Sequence, residues 1–395
     1  MKRWSIPFAI ATALAGGATA QTAAAATQYY VIELPTLGGS FAIGNSINQF
    51  GMVSGFSTLA DNSLHAAAWP FGVKTDLGTL GGASSAVLWP VKNDFGVISG
   101  VSQTGAPNPV NESWSCTVFI GSDGHTCQGF VWTFGKMRAL QPLPGGYNSF
   151  ATGTNNRMQT VGWAETGYHD PSCNSDPSKG YVQVLQFLPV VWGPGKNQIR
   201  TLPLLAGDSS GAATAINDRG DVVGISGACD QAVGRGTAKH MVLWKNGKAI
   251  DIGNIGGDAW NTPMAINQLG DIVGFANTAS GDQHAFYRGR NDHAPTDMGV
   301  LYPADTLSQA YGINDRGVAV GMSCGAACKA FVWQNGVMTD LQTLAPGYSG
   351  TFLYAQDIND LGEITGQATS ASGQDVAFIA IAIPSGDSHA QGPAR

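Results

Sequence analysis

Short apolar runs broken by turn residues recur along the whole chain, and each recurrence has the same shape. An Asn-x-x-Gly phrase, followed by an apolar run and a closing Gly, starts at Asn48, Asn93, Asn155, Asn217, Asn267, Asn314 and Asn359. The closing glycines are Gly55, Gly100, Gly162, Gly224, Gly274, Gly321 and Gly366. Apolar runs this short, bounded by Asn, Asp and Gly, predict strands and hairpins rather than amphipathic helices. The cleanest copy predicts a strand at Ala212 to Ile216, a turn at Asn217 to Gly220 and a second strand at Asp221 to Ile225. A third strand follows at His240 to Trp244, then a turn at Lys245 to Gly247 and a fourth strand from Lys248 to Ile255. Asn and Asp bond their own backbone in such turns, and Gly takes the positive φ. One repeat is therefore a four-stranded antiparallel meander.

The third strand recurs at His65 to Trp69, Gln128 to Trp132, Leu188 to Trp192, His240 to Trp244, His284 to Arg288, Lys329 to Trp333 and Val376 to Ala380. The fourth recurs around Leu77, Leu140, Leu202, Ile252, Met298 and Leu341, one copy short. The missing copy lies at the other end of the chain, where Tyr30 to Gly39 matches Asp76 to Gly82. An N-terminal strand that completes the last meander would close a ring and remove its open edges. The expected fold is all-β: a seven-bladed β-propeller of four-stranded antiparallel blades, closed by the N-terminal strand completing the last blade.

The phrases Asp76-Leu77-Gly78-Thr79-Leu80-Gly81-Gly82, Ala215-Ile216-Asn217 and His284-Ala285-Phe286 resemble the HAF family of bacterial extracellular repeat proteins. The likeness runs over almost the whole chain beyond its leader. It implies an exported repeat protein and carries no catalytic residues. The third repeat departs from the pattern: Met158 replaces the turn Gly and Leu188-Pro189-Val190 replaces His-Ala-Phe, so a distorted blade is expected there.

Lys2 and Arg3, an apolar stretch from Ile6 to Leu14 and Ala18-Thr19-Ala20 read as a secretory signal peptide over residues 1–20, with Gln21 opening the mature chain. The propeller then occupies residues 21–384, and 385–395 form a polar C-terminal tail. The expected location is periplasmic or extracellular. No stretch is apolar enough for a transmembrane segment. The net charge is -7; of 20 basic residues, loss of Lys2 and Arg3 leaves 18 against 27 acidic ones, or -9. An acidic chain argues against nucleic acid or an anionic membrane as partner.

Export permits disulfides, and Cys116, Cys127, Cys173, Cys229, Cys324 and Cys328 are read as structural staples. Cys116 with Cys127 and Cys324 with Cys328 suit pairs within a loop, and Cys173 with Cys229 could bridge neighbouring blades. Spacing alone leaves 15 pairings open. All six cysteines fall in loops between second and third strands, where most insertions lie, near Val101 to Thr126, Ala164 to Gln186 and Gly227 to Lys239. These belong to successive blades and should crowd one sector of one face, where binding usually resides.

Residues that recur at one register of the repeat are read as packing. These include Trp69, Trp132, Trp192, Trp244 and Trp333, as well as His65, His240 and His284. The repeated Glu33, Asp76, Asp251, Asp297 and Asp340 are read as solvated or turn-bonded carboxylates. Aromatics that break the register are the ligand-binding candidates: Trp114, Trp163, Trp260, Tyr147, Tyr302 and Tyr348, on a face that Trp89 should not reach. His125, His169, Glu165 and Asp170, with Asp123 and Glu112 nearby, are the weak candidates for acid–base chemistry. No nucleophile elbow, phosphate loop, metal motif or cofactor motif is present. The expected function is a secreted binding module for an extracellular glycan or partner protein. The alternatives are a polysaccharide lyase or hydrolase and a structural envelope or matrix repeat protein.

Overall fold

The computed structural model describes residues 27–113, 120–121, 124–174, 182–229 and 238–383. The segment read as a signal peptide, Trp114, Cys116, Asp123 and the C-terminal tail lie outside the described residues. The fold is all-β, and its described helical elements include a 3-10 turn at Pro70–Gly72 and a short helix, α1 (Leu341–Leu344).

The first three strands of the first unit are β2 (Ala42–Ile47), β3 (Val53–Thr58) and β4 (Leu64–Trp69), and β5 (Thr75–Asp76) completes it. The second unit holds β6 (Gly81–Ala86), β7 (Ile98–Pro107), β8 (His125–Thr133) and β9 (Lys136–Leu140). The third is β10 (Gly145–Thr154), β11 (Thr160–His169), β12 (Leu185–Trp192) and β13 (Ile199–Thr201). The fourth is β14 (Ser210–Ile216), β15 (Val222–Gly227), β16 (His240–Lys245) and β17 (Lys248–Asp251). Each of these is a separate four-stranded antiparallel sheet in chain order. Next come β18 (Thr262–Ile266), β19 (Ile272–Asn277), β20 (Gln283–Arg288) and β21 (Thr296–Gly299), then β22 (Leu307–Ile313), β23 (Ala319–Cys324), β24 (Cys328–Gln334) and β25 (Val337–Asp340). A single parallel bridge, Gln283 to Leu307, joins these two units into one eight-stranded sheet. The last sheet is β26 (Thr351–Ile358), β27 (Ile364–Thr369), β28 (Asp375–Ile383) and β1 (Gln28–Leu34). β1 pairs antiparallel with β28 from Gln28–Ile383 to Leu34–Ala377, as the strand offset in the sequence predicts. A succession of such meanders is a propeller-like arrangement.

The repeated Asn has two jobs. Its Oδ1 closes its own turn: Asn217 accepts from the Arg219 and Asp221 amides, both at 3.1 Å. Its Nδ2 donates to the carbonyl of the next unit's Asn. Asn48 reaches Asn93 (3.4 Å), Asn93 reaches Asn155 (2.8 Å) and Asn155 reaches Asn217 (3.0 Å). Asn217 reaches Asn267 (3.1 Å), Asn267 reaches Asn314 (3.0 Å) and Asn314 reaches Asn359 (3.0 Å). Asn359 then donates to Asn48 at 3.0 Å. Aspartate could close the turn but has no amide to donate, so the chain needs Asn here. The following residue makes a parallel series. The amides of Gln49, Asp94, Asn156, Asp218, Gln268, Asp315 and Asp360 each donate to the side chain of the next, and Asp360 donates to Gln49.

The closing Gly is required by a close approach. A bulge in the first strand interrupts the register at Ala213/Ala215 in the fourth unit. A Cβ on Gly224 would overlap the Ala212 carbonyl oxygen there, and one on Gly55 would overlap that of Ile43. The third unit keeps the four-stranded order but carries irregularities: β10 and β11 shift register between Gly145 and Ser149 and between Ala151 and Gly153, and β11 and β12 between Glu165 and His169. Met158 takes the left-handed backbone itself, at φ 59°.

Residues of the recurring register pack between sheets. Trp69 and Trp244 are almost fully buried, and their indole N–H groups donate to the carbonyls of Pro35 and Pro203. Three repeated histidines bond carboxylates through Nδ1, each at 2.9 Å: His65 to Asp76, His284 to Asp297 and His240 to Asp208. Asp76, Asp251 and Asp297 also accept the amide two residues on, the turn-bonded role expected of them. The fourth strands run where the repeated apolar residues mark them: Leu77, Leu202 and Ile252 directly follow β5, β13 and β17, and Leu341, after β25, opens α1.

Candidate functional site

Antiparallel succession puts the Asn turns and the third-to-fourth-strand turns at one end of the units. The long second-to-third-strand loops stand at the other end. In the described residues the loops of units two, three and four are tied to one another. The Ser113 amide donates to the Val182 carbonyl at 2.9 Å, and the Val182 amide donates to Ser113 Oγ at 2.8 Å. The Cys173–Cys229 disulfide joins the third unit's loop to the fourth's, and the Cys229 amide donates to Ser172 Oγ at 2.9 Å. Cys324–Cys328 closes the turn between β23 and β24. Cys127 is disulfide-bonded; its expected partner, Cys116, is outside the described residues. Disulfides of this kind suit an oxidising environment.

A pair of buried carboxylates lies beneath the loops. Glu112 Oε1 accepts the amides of Val184 (2.8 Å) and Leu185 (2.5 Å). Glu165, at the rim end of β11, accepts the amides of Asn148 (2.8 Å) and Tyr147 (3.3 Å) and the side-chain amides of Asn148 and Gln183. Burial, and then the facing Glu165, push the Glu112 carboxyl up to about 8 against the opposing backbone bonds from Leu185 and Val184. The pair fastens the first loop to β12 and fixes the backbone beneath Tyr147.

Both carboxylates are sealed from solvent, at 3% and 0% exposure, so neither is placed to touch a substrate. The acid–base candidates are not brought together either. Asp170 binds Ser172 through its amide and hydroxyl, at 2.8 and 2.7 Å. Burial raises its carboxyl, but bonds from Ser209, Ser172 and Ser210 outweigh that and hold it below its ordinary value. His169 ends β11, exposed, opposite Leu185, whereas His125 opens β8 opposite Pro107. Asp170 also lies beside Cys173 and Cys229, but sulfurs joined in a disulfide are not thiolate ligands, so this group is no metal centre.

The off-register aromatics divide into two sets. Trp163 is a correction: it is 1% exposed and stacks on Phe150 at 4.2 Å between ring centroids. Trp89, expected apart, packs edge-on to both rings at 5.4 and 6.1 Å. Together with Ile120, Cys127 and Phe187 they form a core that the inserted loops need for their own support. Trp260 is half-buried against Phe275, and Tyr348 is half-buried against Phe352 with its hydroxyl on Glu33. Tyr147 is exposed, as is Tyr302, whose hydroxyl donates to Asp340 at 2.7 Å and whose ring faces Lys329 at 4.5 Å. Tyr168 was missed. It is 58% exposed on β11, whose pairing with β10 continues past the closing Gly162. That extension beyond the repeat was the available signal.

No protein-family model matches the chain, and no curated protein does. Solved structures resemble it at low identity. A puromycin-hydrolysing peptidase of Mycobacterium tuberculosis shares 12% identity at a TM-score of 0.50, over 89% of this chain and 52% of that one. The likeness is one of fold. The chain spans about half the length of that peptidase. The β-propeller domain of the Trilobed protease from Pyrococcus furiosus matches at 10% identity and a TM-score of 0.47, over 86% and 95% of the two chains. An oligogalacturonate lyase in complex with manganese matches at 10% and 0.46, over 91% and 97%.

Proposed function

We propose that this chain is an exported binding module of the HAF type, a closed seven-bladed propeller that holds a glycan against its loop sector. Closure is supported by the β1–β28 pairing and by an asparagine series whose seventh member bonds the first. Export is supported by the leader-like residues 1–20 and by the disulfides. One observation carries the binding assignment. Loops locked by a disulfide and a carboxyl pair leave Tyr147 and Tyr168 in solvent, on neighbouring strands of one unit. Tyrosines held this way lose little entropy on contact and stack on sugar rings.

The test is native affinity electrophoresis of the mature chain through gels carrying bacterial and plant polysaccharides. Retardation by at least one polysaccharide, lost in Tyr147→Ala/Tyr168→Ala, is expected. Retardation unchanged in that variant would remove the site. Shortened polysaccharide would turn the reading to a lyase or hydrolase, and no retardation on any gel to a partner protein or a structural role.

A further inference from the structure

The opposite end of the units carries a feature that glycan binding does not use. Phe50 and Phe95 stand two residues after the repeated Asn in units one and two, 75% and 65% exposed. Phe71 and Phe134 occupy the third-to-fourth-strand turns of the same two units, 96% and 94% exposed. All four turns lie at one end of the strands. The bond from the Gln49 amide to Asp94 Oδ1, at 3.0 Å, makes the two inner turns neighbours. In units four and six the corresponding positions hold Arg219 and Arg316 in the inner turns and Asn246 and Asn335 in the outer ones.

The outer pair is conformationally out of place. Phe71 and Phe134 have φ of 52° and 48°, matching Asn246 and Asn335 at 52° and 51°. This left-handed backbone suits Asn and Gly and disfavours a bulky side chain. Packing does not compensate for it, because both rings project into solvent. Two strained, almost fully exposed phenylalanines beside two further exposed ones make a surface that solubility and stability both disfavour.

Within units one to three the charge of these turns is positive; on the flank of unit seven, Asp360 and Glu363 border the Phe50 turn. The inner and outer turns of units one to three contain Lys74, Lys136, Arg157 and Lys196, and a single carboxylate, Asp94. Asp94 is bonded to the Gln49 amide and to Asn156 Nδ2, while the Lys74 ammonium is held by the Thr36 carbonyl. Lys136, Arg157 and Lys196 are exposed. A groove of about 540 Å³ adjoins the patch between units two and three, with Val131, Met158 and Trp192 along it and Arg138 and Lys196 at its sides.

The geometry points to this face as a docking surface for an anionic lipid bilayer, with the phenylalanine tips in the headgroup–acyl boundary and the cations on the lipid phosphates. Rings that stand apart at turn tips suit a fluid apolar phase; a rigid protein would need a matched socket for each. Aromatic tips with flanking Lys and Arg are the chemistry of an interface. The acidic charge of the whole chain does not oppose this, because attraction to a surface acts within about a Debye length, roughly 8 Å. A symmetric second copy would set the same cations against one another. Both Gln28 and Ile383 lie at this end, but residues 384–395 contain no aromatic or large aliphatic side chain with which to cover the patch. Docking here would turn the loop sector away from the membrane.

The test is flotation of the mature chain, begun at Gln21, with vesicles of phosphatidylcholine alone or mixed with phosphatidylglycerol. Flotation with the mixed vesicles and none with phosphatidylcholine alone is expected. Phe71→Asn/Phe134→Asn should weaken that binding at least about tenfold while its unfolding midpoint stays level or rises. Lys136→Gln/Lys196→Gln should reduce the dependence on phosphatidylglycerol. Wild type left at the bottom of the gradient, or the Phe variant floating like wild type, would overturn the proposal. A lipid-free dimer that the Phe variant breaks would overturn it too, by making a second copy the occupant. Polysaccharide retardation unchanged in the Phe variant separates this face from the tyrosine site.

Discussion

At one end of the strands seven turns are near copies of one another; at the other, the loops of three neighbouring units differ in length, charge and cross-linking. The two ends use polar side chains in opposite ways. In the turn layer every Asn accepts the amide four residues on and donates to the next unit, so one phrase serves seven times. In the loop sector each polar contact is made once, between residues far apart in sequence, such as Glu112 with Leu185 or Ser113 with Val182. Repetition builds the scaffold, and the departures from it build the surface that can be specific.

The sharpest break in the turn layer is at Lys92, which stands where Ile47, Ile216, Ile266, Ile313 and Ile358 stand in other units. Its ammonium binds Asp357 at 2.5 Å, and Asp357 is wholly buried. Asp357→Ala should cost about 3–5 kcal/mol by urea unfolding, because it strands a cation in the interior. A cost under about 1 kcal/mol would show that water reaches the pair. Next in size is Asn217→Asp, which keeps the turn acceptor and removes the donor to Asn267. A loss of about 2–3 kcal/mol is expected, and no loss would show that the inter-unit bond contributes nothing.

The loop sector should answer to pH through one buried carboxyl. The Glu112 carboxyl is raised in the folded chain, from 4.5 to about 8, so the folded state binds more protons than the unfolded state between those values. Stability therefore falls as pH rises through that window. Glu112→Gln keeps a donor towards Glu165 and an acceptor for Val184 and Leu185. It should flatten the slope and gain about 1–3 kcal/mol at pH 8 with little change at pH 4. A melting profile parallel to wild type from pH 5 to 8 would contradict the raised Glu112 carboxyl. The smallest effect belongs to the turns that break their own rule. Phe71→Asn should raise stability by about 0.5–1 kcal/mol, because Asn accepts the left-handed backbone; a loss would show that the ring packs.

The strand pattern was legible because turn chemistry is local. Asn217 to Gly220 announces its hairpin without reference to anything distant, and the match of Tyr30–Gly39 to Asp76–Gly82 anticipated the β1–β28 pairing. The inter-unit role of Asn was hidden, since the same residue type also satisfies a simple turn. Trp163 misled for a physical reason. A side chain off the repeat register faces the inserted loops, and these were free to bury it against Phe150. Glu112 and Glu165 stood out singly as loop acids, but nothing local to either announces that the fold buries them together. Met158 was read as the mark of a distorted unit; it is a left-handed turn residue, and the register shifts of that unit lie elsewhere, at Gly145/Ser149, Ala151/Gly153 and Glu165/His169.

The measurement that bears most directly on the scaffold is amide hydrogen exchange of the mature chain beside a variant lacking Gln28 to Leu34. In the intact chain β28 should be as protected as β16, because both are flanked by two strands. In the variant, protection should collapse through β26 to β28 and persist in β14 to β17. Equal protection of β28 in both chains would contradict a ring closed by the N-terminal strand.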